Sequence, residues 1–271
     1  MDALYVDLDG TLLGPGGRLL HDAEGAFTLL GVRAVEACLR AGAEVVIMSG
    51  RGRRTVGEDA RLLGQTSFIF EAGACVMLDG EEHWLTGDLM PEGEVSIHDQ
   101  IDNGGAPKLL LEQYAGRLEH HEPWHRNREV SHLFRGLIDA DEANALLADA
   151  GYANLRLLDN GLVNTHPQSL TDLAQVRIYH LLPASASKAA GVAFHQRARG
   201  HDPARCIGVG DSREDLACAA QLGAFWLVAN AVHRDPTIRQ DVAGHANVRI
   251  AEASHGDGVY EAVVTELAEG R

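Results

Sequence analysis

The segment ALYVDLDGTLL, residues 3–13, places an apolar run directly before two aspartates and a glycine. A short apolar run that ends in this way predicts a buried β-strand over residues 3–8. Asp7 and Asp9 then lie where the strand ends. Two carboxylates at such a place are costly unless a cation or a proton accompanies them, so the pair is a candidate for chemistry. Gly10 lets the backbone turn sharply after them.

Strands and helices alternate on both sides of a central interruption. The predicted elements of the first part are strands at residues 3–8, 44–48 and 67–70, helices around 29–39 and 52–63, and a hairpin joining 75–78 to 82–85. The predicted elements of the last part are helices at 187–198, 212–222, 235–242 and 258–268 and strands at 205–209 and 224–228. In the first helix, Leu29, Val32, Val35 and Leu39 recur at helical spacing. This alternation is typical of a parallel α/β sheet.

The interruption has a different pattern. Residues 86–107 are polar, rich in Gly and Asp, and without periodicity. The elements predicted after them are helices near 107–118 and 139–150 and strands near 129–135, 154–158, 162–166 and 175–181. The sequence therefore predicts an α/β fold with a Rossmann-like doubly wound parallel sheet core, residues 1–85 and 182–271. An α+β domain, residues 86–181, is inserted into it.

Ligands of open α/β sheets bind beyond the carboxyl ends of the parallel strands. The segments nominated by this rule are 7–11, Ser49-Gly50-Arg51 and Gly210-Asp211-Ser212, with Asp215 about one helical turn further on. Carboxylates from two strand ends can hold a hard cation, and oxygen ligands suit Mg²⁺. A carboxylate can also act as a nucleophile. Taken singly, each segment also fits a plain turn or a helix cap.

Four stretches, in order, resemble the motifs of the haloacid dehalogenase (HAD) superfamily. They are DLDGTLL (7–13), MSGR (48–51), Lys188 within ASASKAAGVAF, and GDSREDL (210–216). An insert of this size between the second and third motifs resembles the C2-type cap. Asn230-Ala231 and GDGVYEAV (256–263) are similar to the tail of the Cof and sucrose-phosphatase-like branch, and VRIYHLLPASASK (176–188) is similar to mannosyl-3-phosphoglycerate phosphatases.

The resemblance implies a role for each matched residue. Asp7 attacks phosphorus and becomes an aspartyl-phosphate. Asp9 protonates the leaving alcohol and then activates water, and it is the residue that separates the phosphatases from the dehalogenases. Ser49 binds a phosphoryl oxygen, and Lys188 neutralises charge on the phosphoryl group and on Asp7.

The same resemblance implies a Mg²⁺ site and a substrate site. The metal-binding residues are Asp7, Asp9 through its carbonyl, Asp211 and Asp215. The candidate substrate-binding residues are Gly50, Arg51, Ser212, Arg177 and His180. Arg177 and His180 lie in the insert, where they are candidates to grip an acidic or polyol leaving group.

Three positions depart from the family pattern. Glu71-Ala72-Gly73-Ala74 stands where related sequences often carry Asn-Gly after the third strand. Glu214 replaces an Asn, and Ala189 follows Lys188 in place of Gly. None of these changes removes a central catalytic group, but they leave the identity of the substrate open.

The resemblance therefore implies a Mg²⁺-dependent phosphatase of a small phosphate ester. The first candidates are a sugar phosphate or sugar-acid phosphate, such as mannosyl-3-phosphoglycerate. A broad-specificity Cof-like phosphatase of sugar or cofactor phosphates and a phosphomutase are the alternatives. The intact catalytic set argues against a non-catalytic binding protein.

Bulk properties restrict the partners and the location of this 271-residue chain. A net charge of -16 argues against nucleic acid as a partner. The sequence has no apolar stretch long enough to span a membrane and no pattern of a signal peptide, which predicts a cytoplasmic protein without membrane partners. The four cysteines are widely spaced and are expected to be buried thiols. The sequence gives no oligomeric state.

Overall fold

The computed structural model describes residues 1–163 and 166–270. The chain divides into two compact units. The core unit comprises Met1–His83 and Ser187–Arg271, and the insert unit comprises Trp84–Ala186. The boundaries thus fall after residues 83 and 186, where the sequence analysis placed them after residues 85 and 181.

The first half of the core unit follows the alternating pattern of its sequence. Its elements are β1 (Ala3–Asp7), α1 (Leu30–Arg40), β2 (Glu44–Met48), α2 (Arg53–Leu62), β3 (Phe68–Phe70), β4 (Cys75–Leu78) and β5 (Glu81–Trp84). Asp79 and Gly80 both have positive φ, 52° and 92°, as the tight turn between β4 and β5 requires. All five residues of β1 are buried, as expected for a central parallel strand.

The insert unit contains a second, antiparallel sheet in the order β6-β7-β9-β8. Its elements are α3 (Ile97–Gly104), α4 (Ala106–Gln113), β6 (Leu118–His120), β7 (His132–Gly136), α5 (Ala140–Asp149), β8 (Leu155–Leu162) and β9 (Arg177–Pro183). The sequence analysis found no element in residues 86–107 and was wrong there, because α3 begins at a capping box formed by Ser96 and Asp99. The strand predicted over 162–166 falls partly on residues 164–165, outside the described residues.

The second half of the core unit begins with the helix that carries Lys188. Its elements are α6 (Lys188–Arg199), β10 (Cys206–Gly210), α7 (Arg213–Leu216), β11 (Ala224–Leu227), α8 (Ala229–Arg234), α9 (Ile238–Val242), β12 (Val248–Ile250) and α10 (His255–Ala268). The helix predicted over 212–222 ends at Leu216 and continues as a tighter 3-10 turn, Ala217–Gln221. The short elements α8 and β12 were not predicted.

The core sheet has eight strands in the order β12-β11-β10-β1-β2-β3-β4-β5. The strands from β12 to β3 pair in parallel, and β4 pairs antiparallel to β3. After β3 the chain returns to the other side of β1, because β1 pairs with both β2 and β10. This reversal of strand order is the topological switch point of a doubly wound fold, where ligands bind. The predicted fold class is confirmed.

The packing of α1 differs from the pattern that indicated the helix. Leu29, Val32 and Leu39 are exposed, whereas Gly31, Ala34, Val35 and Cys38 are buried. A Cβ added to Gly31 would lie 3.3 Å from the Gly256 Cα of α10. The two helices therefore approach through glycines, and small side chains form the buried face.

The cysteines agree with the prediction of buried thiols. All four are buried and belong to no disulfide. Within residues 1–163 and 166–270, no helix has both the length and the apolar character that crossing a membrane requires.

Candidate active site

Three predicted site residues meet at the switch point of the core sheet. Asp7 is the last residue of β1, Asp211 follows β10, and Asp215 lies in α7. Their carboxylate oxygens lie within 4.8 Å of one another, and all three residues are buried. The fold thus brings Asp7 together with two acids that follow it by more than 200 residues in the chain.

Lys188 joins this cluster from the first turn of α6. Ser187 caps that helix by accepting a hydrogen bond from the amide of Ala190. The Lys188 Nζ lies 2.7 Å from Asp7 Oδ1 and 2.6 Å from Asp215 Oδ1, and the residue is 3% exposed. Burial acts to lower the pKa of Lys188, but Asp215 and Asp7 outweigh burial and raise that pKa well above its usual value. The lysine is therefore held as a cation.

Asp215 uses its two carboxylate oxygens for different purposes. Oδ1 accepts from Lys188, while Oδ2 accepts from the backbone amides of Asp211 and Ser212 at 3.2 and 3.1 Å. The Ser212 hydroxyl also donates to Oδ2, at 2.6 Å, and completes a capping box at the start of α7. Ser212, a predicted substrate-binding residue, is thus engaged in holding Asp215.

The charges of the cluster do not balance. Burial raises the pKa of Asp7 well above its usual value, against the lowering effect of Lys188. Burial also raises the pKa of Asp211 to about 6, although Arg234 Nη2 lies 2.6 Å from Asp211 Oδ2. Three carboxylates thus face two cations among the described side chains. Buried oxygen ligands short of positive charge fit a divalent cation.

Asp9 lies outside this cluster and is paired with Arg51. The Arg51 Nε and Nη2 atoms each lie 2.6 Å from one oxygen of Asp9, and Nη1 lies 2.9 Å from Asp59. The Asp9 side chain is 55% exposed. Arg51, a predicted substrate-binding residue, therefore forms a bidentate ion pair with the predicted acid–base residue.

Ser49 is fixed directly after β2. The residue is buried, its amide donates to the Ile69 carbonyl at 2.9 Å, and its hydroxyl accepts from the Arg51 amide at 3.2 Å. Gly50 is half-buried between Ser49 and Arg51. The predicted phosphate-binding segment thus lies at the end of the strand next to β1.

Two residues that the sequence analysis gave no role support the turn after Asp9. Asn230 Nδ2 donates to the Gly10 carbonyl at 2.8 Å, and His255 Nδ1 lies 3.0 Å from the same oxygen. The His255 amide donates to Asn230 Oδ1 at 2.9 Å. A Cβ on Gly10, whose φ is +87°, would lie 2.2 Å from Asp211 Oδ2. Asn230 belongs to the segment that resembles the tail of the Cof and sucrose-phosphatase-like branch. That resemblance was the sequence signal that could have indicated a role for Asn230.

The departure from the family pattern at Glu71-Ala72-Gly73 forms a tight turn beside α6. The three residues have φ angles of 46°, 55° and 92°. Glu71 is fully buried. A Cβ on Gly73 would lie 2.0 Å from the Ser187 carbonyl oxygen and 2.5 Å from the Lys188 amide. The turn therefore packs directly against the start of the helix that carries Lys188.

Arg177 and His180 belong to β9 of the insert unit. The Arg177 Nε lies 2.5 Å from Asp159 Oδ2, in an ion pair on the insert sheet. His180 is buried, with 2% of its surface exposed. Their contribution to substrate binding stays a prediction.

No protein-family model matches the chain. Over 266 residues, 97% of its length, the chain is 26% identical to a curated phosphoglycolate phosphatase from Methanoculleus marisnigri, of which it covers 95%. It is 29% identical over 231 residues to another from Halorubrum lacusprofundi, with 84% of each chain covered. Both relatives are phosphatases by name.

Solved structures share the fold. The sucrose-phosphatase from Synechocystis, solved with sucrose and phosphate, aligns with a TM-score of 0.63 at 16% identity, over 98% of this chain and 97% of that one. Haloacid dehalogenase-like hydrolases from Bacteroides thetaiotaomicron and Bacillus subtilis align with scores of 0.60 and 0.61. The chain therefore has the fold of haloacid dehalogenase-like hydrolases, and the two curated relatives, 26% and 29% identical to it, are named phosphatases.

Proposed function

We propose that the chain is a Mg²⁺-dependent phosphatase that hydrolyses a small phosphorylated metabolite through an aspartyl-phosphate on Asp7. The observation that carries this proposal is the buried contact between the Asp7 carboxylate and the Lys188 ammonium at 2.7 Å. Within the described residues, that contact is the hydrogen bond of the Asp7 side chain, and it engages Oδ1. Oδ2 is the oxygen that remains for attack on phosphorus.

The proposed reaction has two steps. Asp7 Oδ2 forms a bond to phosphorus while the bond between phosphorus and the ester oxygen breaks, and Asp9 gives a proton to the departing alcohol. Water then attacks the phosphorus, Asp9 takes its proton, and the Asp7–phosphorus bond breaks to release inorganic phosphate. Lys188 stays charged throughout and holds Asp7 in place.

The carboxylate cluster supplies the oxygen ligands for the metal. Asp7, Asp211 and the Asp9 carbonyl would hold Mg²⁺, and Asp215 would orient Lys188 and the start of α7. A bound Mg²⁺ supplies the positive charge that stabilises the transferring phosphoryl group. Asn230 and His255, through the Gly10 carbonyl, hold the turn that would present the Asp9 carbonyl.

The substrate is proposed as a small phosphorylated acid or sugar. Phosphoglycolate is the first compound to test, since both curated relatives carry its name. Sugar phosphates and sugar-acid phosphates, including mannosyl-3-phosphoglycerate, come next, because residues 176–188 and the last part of the chain resemble phosphatases of such compounds.

Phosphate release from such a panel tests the proposal. The panel should include nucleotides and cofactor phosphates, and each ester should be measured with Mg²⁺ and with EDTA. Asp7→Asn should abolish release, while Asp241→Asn, the same change at an exposed ion pair with Arg213, should leave it intact. A wild-type protein that releases phosphate from none of these esters in Mg²⁺ would overturn the proposal.

A further inference from the structure

A second group of metal-ligating side chains lies in the core unit, away from the strand ends that carry the acids. Glu44 begins β2, His195 lies in α6, and His201 follows that helix. One ligating atom of each lies within 4.8 Å of the others. Because β2 runs parallel to β1, Glu44 is at the amino end of the sheet, opposite to the end where Asp7 lies.

The end of α6 brings the two histidines together. Gly200 stops the helix in the left-handed conformation, with φ of 70°, and the His201 amide then donates to the Gln196 carbonyl at 3.0 Å. This turn places His201 beside His195. The His195 Nε2 lies 3.4 Å from Glu44 Oε1, and the His201 Nε2 lies 3.0 Å from Glu44 Oε2.

His195 has a buried ring nitrogen that faces the other two residues of the group. It is completely buried, and its Nδ1 lies 2.9 Å from the Tyr5 hydroxyl. Its buried Nε2 points toward Glu44 but forms no hydrogen bond with any described residue. A buried polar atom without a hydrogen bond is unfavourable. Metal-bound histidines commonly fix the second ring nitrogen by a hydrogen bond, which is the position of Tyr5 here.

We propose that Glu44, His195 and His201 form a second metal site, which takes Zn²⁺ or a similar nitrogen-preferring cation. Two imidazoles and a carboxylate are an established zinc ligand set, and a water would fill the fourth position. Bond lengths of about 2.0–2.2 Å in a tetrahedral site separate the ligand atoms by about 3.3 Å. The His195 Nε2 lies 3.4 Å from one oxygen of the Glu44 carboxylate and the His201 Nε2 lies 3.0 Å from the other oxygen, both close to that separation.

The nitrogen ligands distinguish this site from the carboxylate cluster, because imidazole suits zinc and oxygen ligands suit magnesium. The side chains of Glu44 and His201 are 21% and 18% exposed, so a cation can reach the site from solvent. The overall charge of -16 favours its approach.

Arg199 is a positively charged side chain that lies beside the proposed metal site. Its Nη2 lies 3.3 Å from Glu44 Oε1. Its stronger contacts are with Asp79, at 2.6 and 2.8 Å, and with the Ser67 hydroxyl, at 2.9 Å. A bound metal would therefore replace the longest of these contacts and leave Arg199 anchored to Asp79.

Titration with Zn²⁺ in excess Mg²⁺ tests the site, since Mg²⁺ occupies the oxygen ligands of the carboxylate cluster. Isothermal calorimetry should show one more bound equivalent for the wild-type chain than for His201→Gln. His245→Gln, the same change at a histidine outside the group, should behave as the wild type. Zn²⁺ should also raise the melting temperature of the wild type and of His245→Gln by more than that of His201→Gln.

The same titration of Glu44→Gln is a second and independent test. If Glu44→Gln also binds one Zn²⁺ ion fewer than the wild type, the result supports the proposed site. Equal zinc stoichiometry in the wild type and His201→Gln, or no bound Zn²⁺ in the wild type, would overturn the proposal. The wild type, His201→Gln and Glu44→Gln share every histidine outside the group, so the difference in stoichiometry among these three proteins isolates the group.

Discussion

Lys188 and Asp7 form a buried ion pair, with 2.7 Å between Nζ and Oδ1 and with side chains that are 4% and 7% exposed. The loss of the Lys188 charge should nevertheless destabilise the fold, whereas the loss of the Asp7 charge should not. Lys188 is the cation shared by Asp7 and Asp215. Asp7 is one of three clustered acids, and burial holds its pKa well above the usual value.

Lys188→Met should therefore destabilise the protein and abolish turnover. The change leaves buried carboxylates without their shared cation, and breaking such a pair typically costs about 3 kcal/mol or more. Urea unfolding without Mg²⁺ measures the loss. Lys108→Met is the matched control, because Lys108 is 78% exposed. A Lys188→Met protein as stable as Lys108→Met would contradict the expected role.

Asp7→Asn should abolish turnover without lowering stability. A neutral amide removes a buried charge that its surroundings disfavour, so the free energy of unfolding in EDTA at pH 7 should equal or exceed that of the wild type. Urea unfolding in parallel with Lys188→Met checks this contrast. If Asp7→Asn lost as much free energy of unfolding as Lys188→Met, the attraction between Asp7 and Lys188 would outweigh the repulsion among the three clustered acids.

Asn230→Ala should weaken Mg²⁺ binding and lower activity by about 10–100-fold, as expected when a group supporting a ligand is removed. The reason is that Asn230 holds both the Gly10 carbonyl and His255. The Mg²⁺ dependence of phosphate release measures the effect. Asn247→Ala loses hydrogen bonds to two carbonyls elsewhere and should keep the wild-type Mg²⁺ requirement. Identical Mg²⁺ curves for the two variants would contradict the assignment.

Gly73→Ala should lower both the melting temperature and activity. Its φ is +92°, and the new Cβ would meet the Ser187 carbonyl beside Lys188. Gly80 has the same φ but no atom within 4 Å of its added Cβ, so Gly80→Ala isolates the backbone strain of about 1–2 kcal/mol. Thermal unfolding should place Gly73→Ala below Gly80→Ala, and equal melting temperatures would argue against the tight packing.

The insert unit should lose stability as the pH falls from about 6.5 to about 4. Burial lowers the pKa of His132 to about 4, and it likewise lowers that of His121 to about 4. In this pH range the two histidines bind protons in the unfolded chain but not in the folded chain. The protein therefore reaches its full stability only at pH values above the pKa of these histidines in the unfolded chain. The cost at pH 5 is about 2 kcal/mol for His132.

Urea unfolding at pH 7 and pH 5 checks this expectation. His132→Gln should show a smaller decrease between the two pH values than the wild type or His245→Gln. The same decrease in all three proteins would mean that His132 does not contribute.

Sequence patterns identified the features that are local. The strand before Asp7 and the aspartate after β10 were found because an apolar run ending in acid is visible within a few residues. Short elements such as α8 and β12 were missed, since a helix of six residues or a strand of three gives almost no periodicity. The buried face of α1 was missed because glycine and alanine carry little hydrophobic signal.

Contacts between distant residues were beyond the sequence patterns. Asn230 and His255 contact the Gly10 carbonyl oxygen, and no spacing of residues in the sequence predicts such a contact. The group of Glu44, His195 and His201 is hidden for the same reason, because Glu44 precedes the two histidines by more than 150 residues.

The position of β1 between β2 and β10 has a consequence for biosynthesis. During translation, residues 3–7 emerge early, yet their partners at residues 206–209 follow about 200 residues later. One edge of the strand that carries Asp7 is therefore unpaired while the whole insert is being made, and unpaired edges invite aggregation. A product that ends before residue 206 would keep Asp7 and Ser49 but could not complete the sheet that holds them.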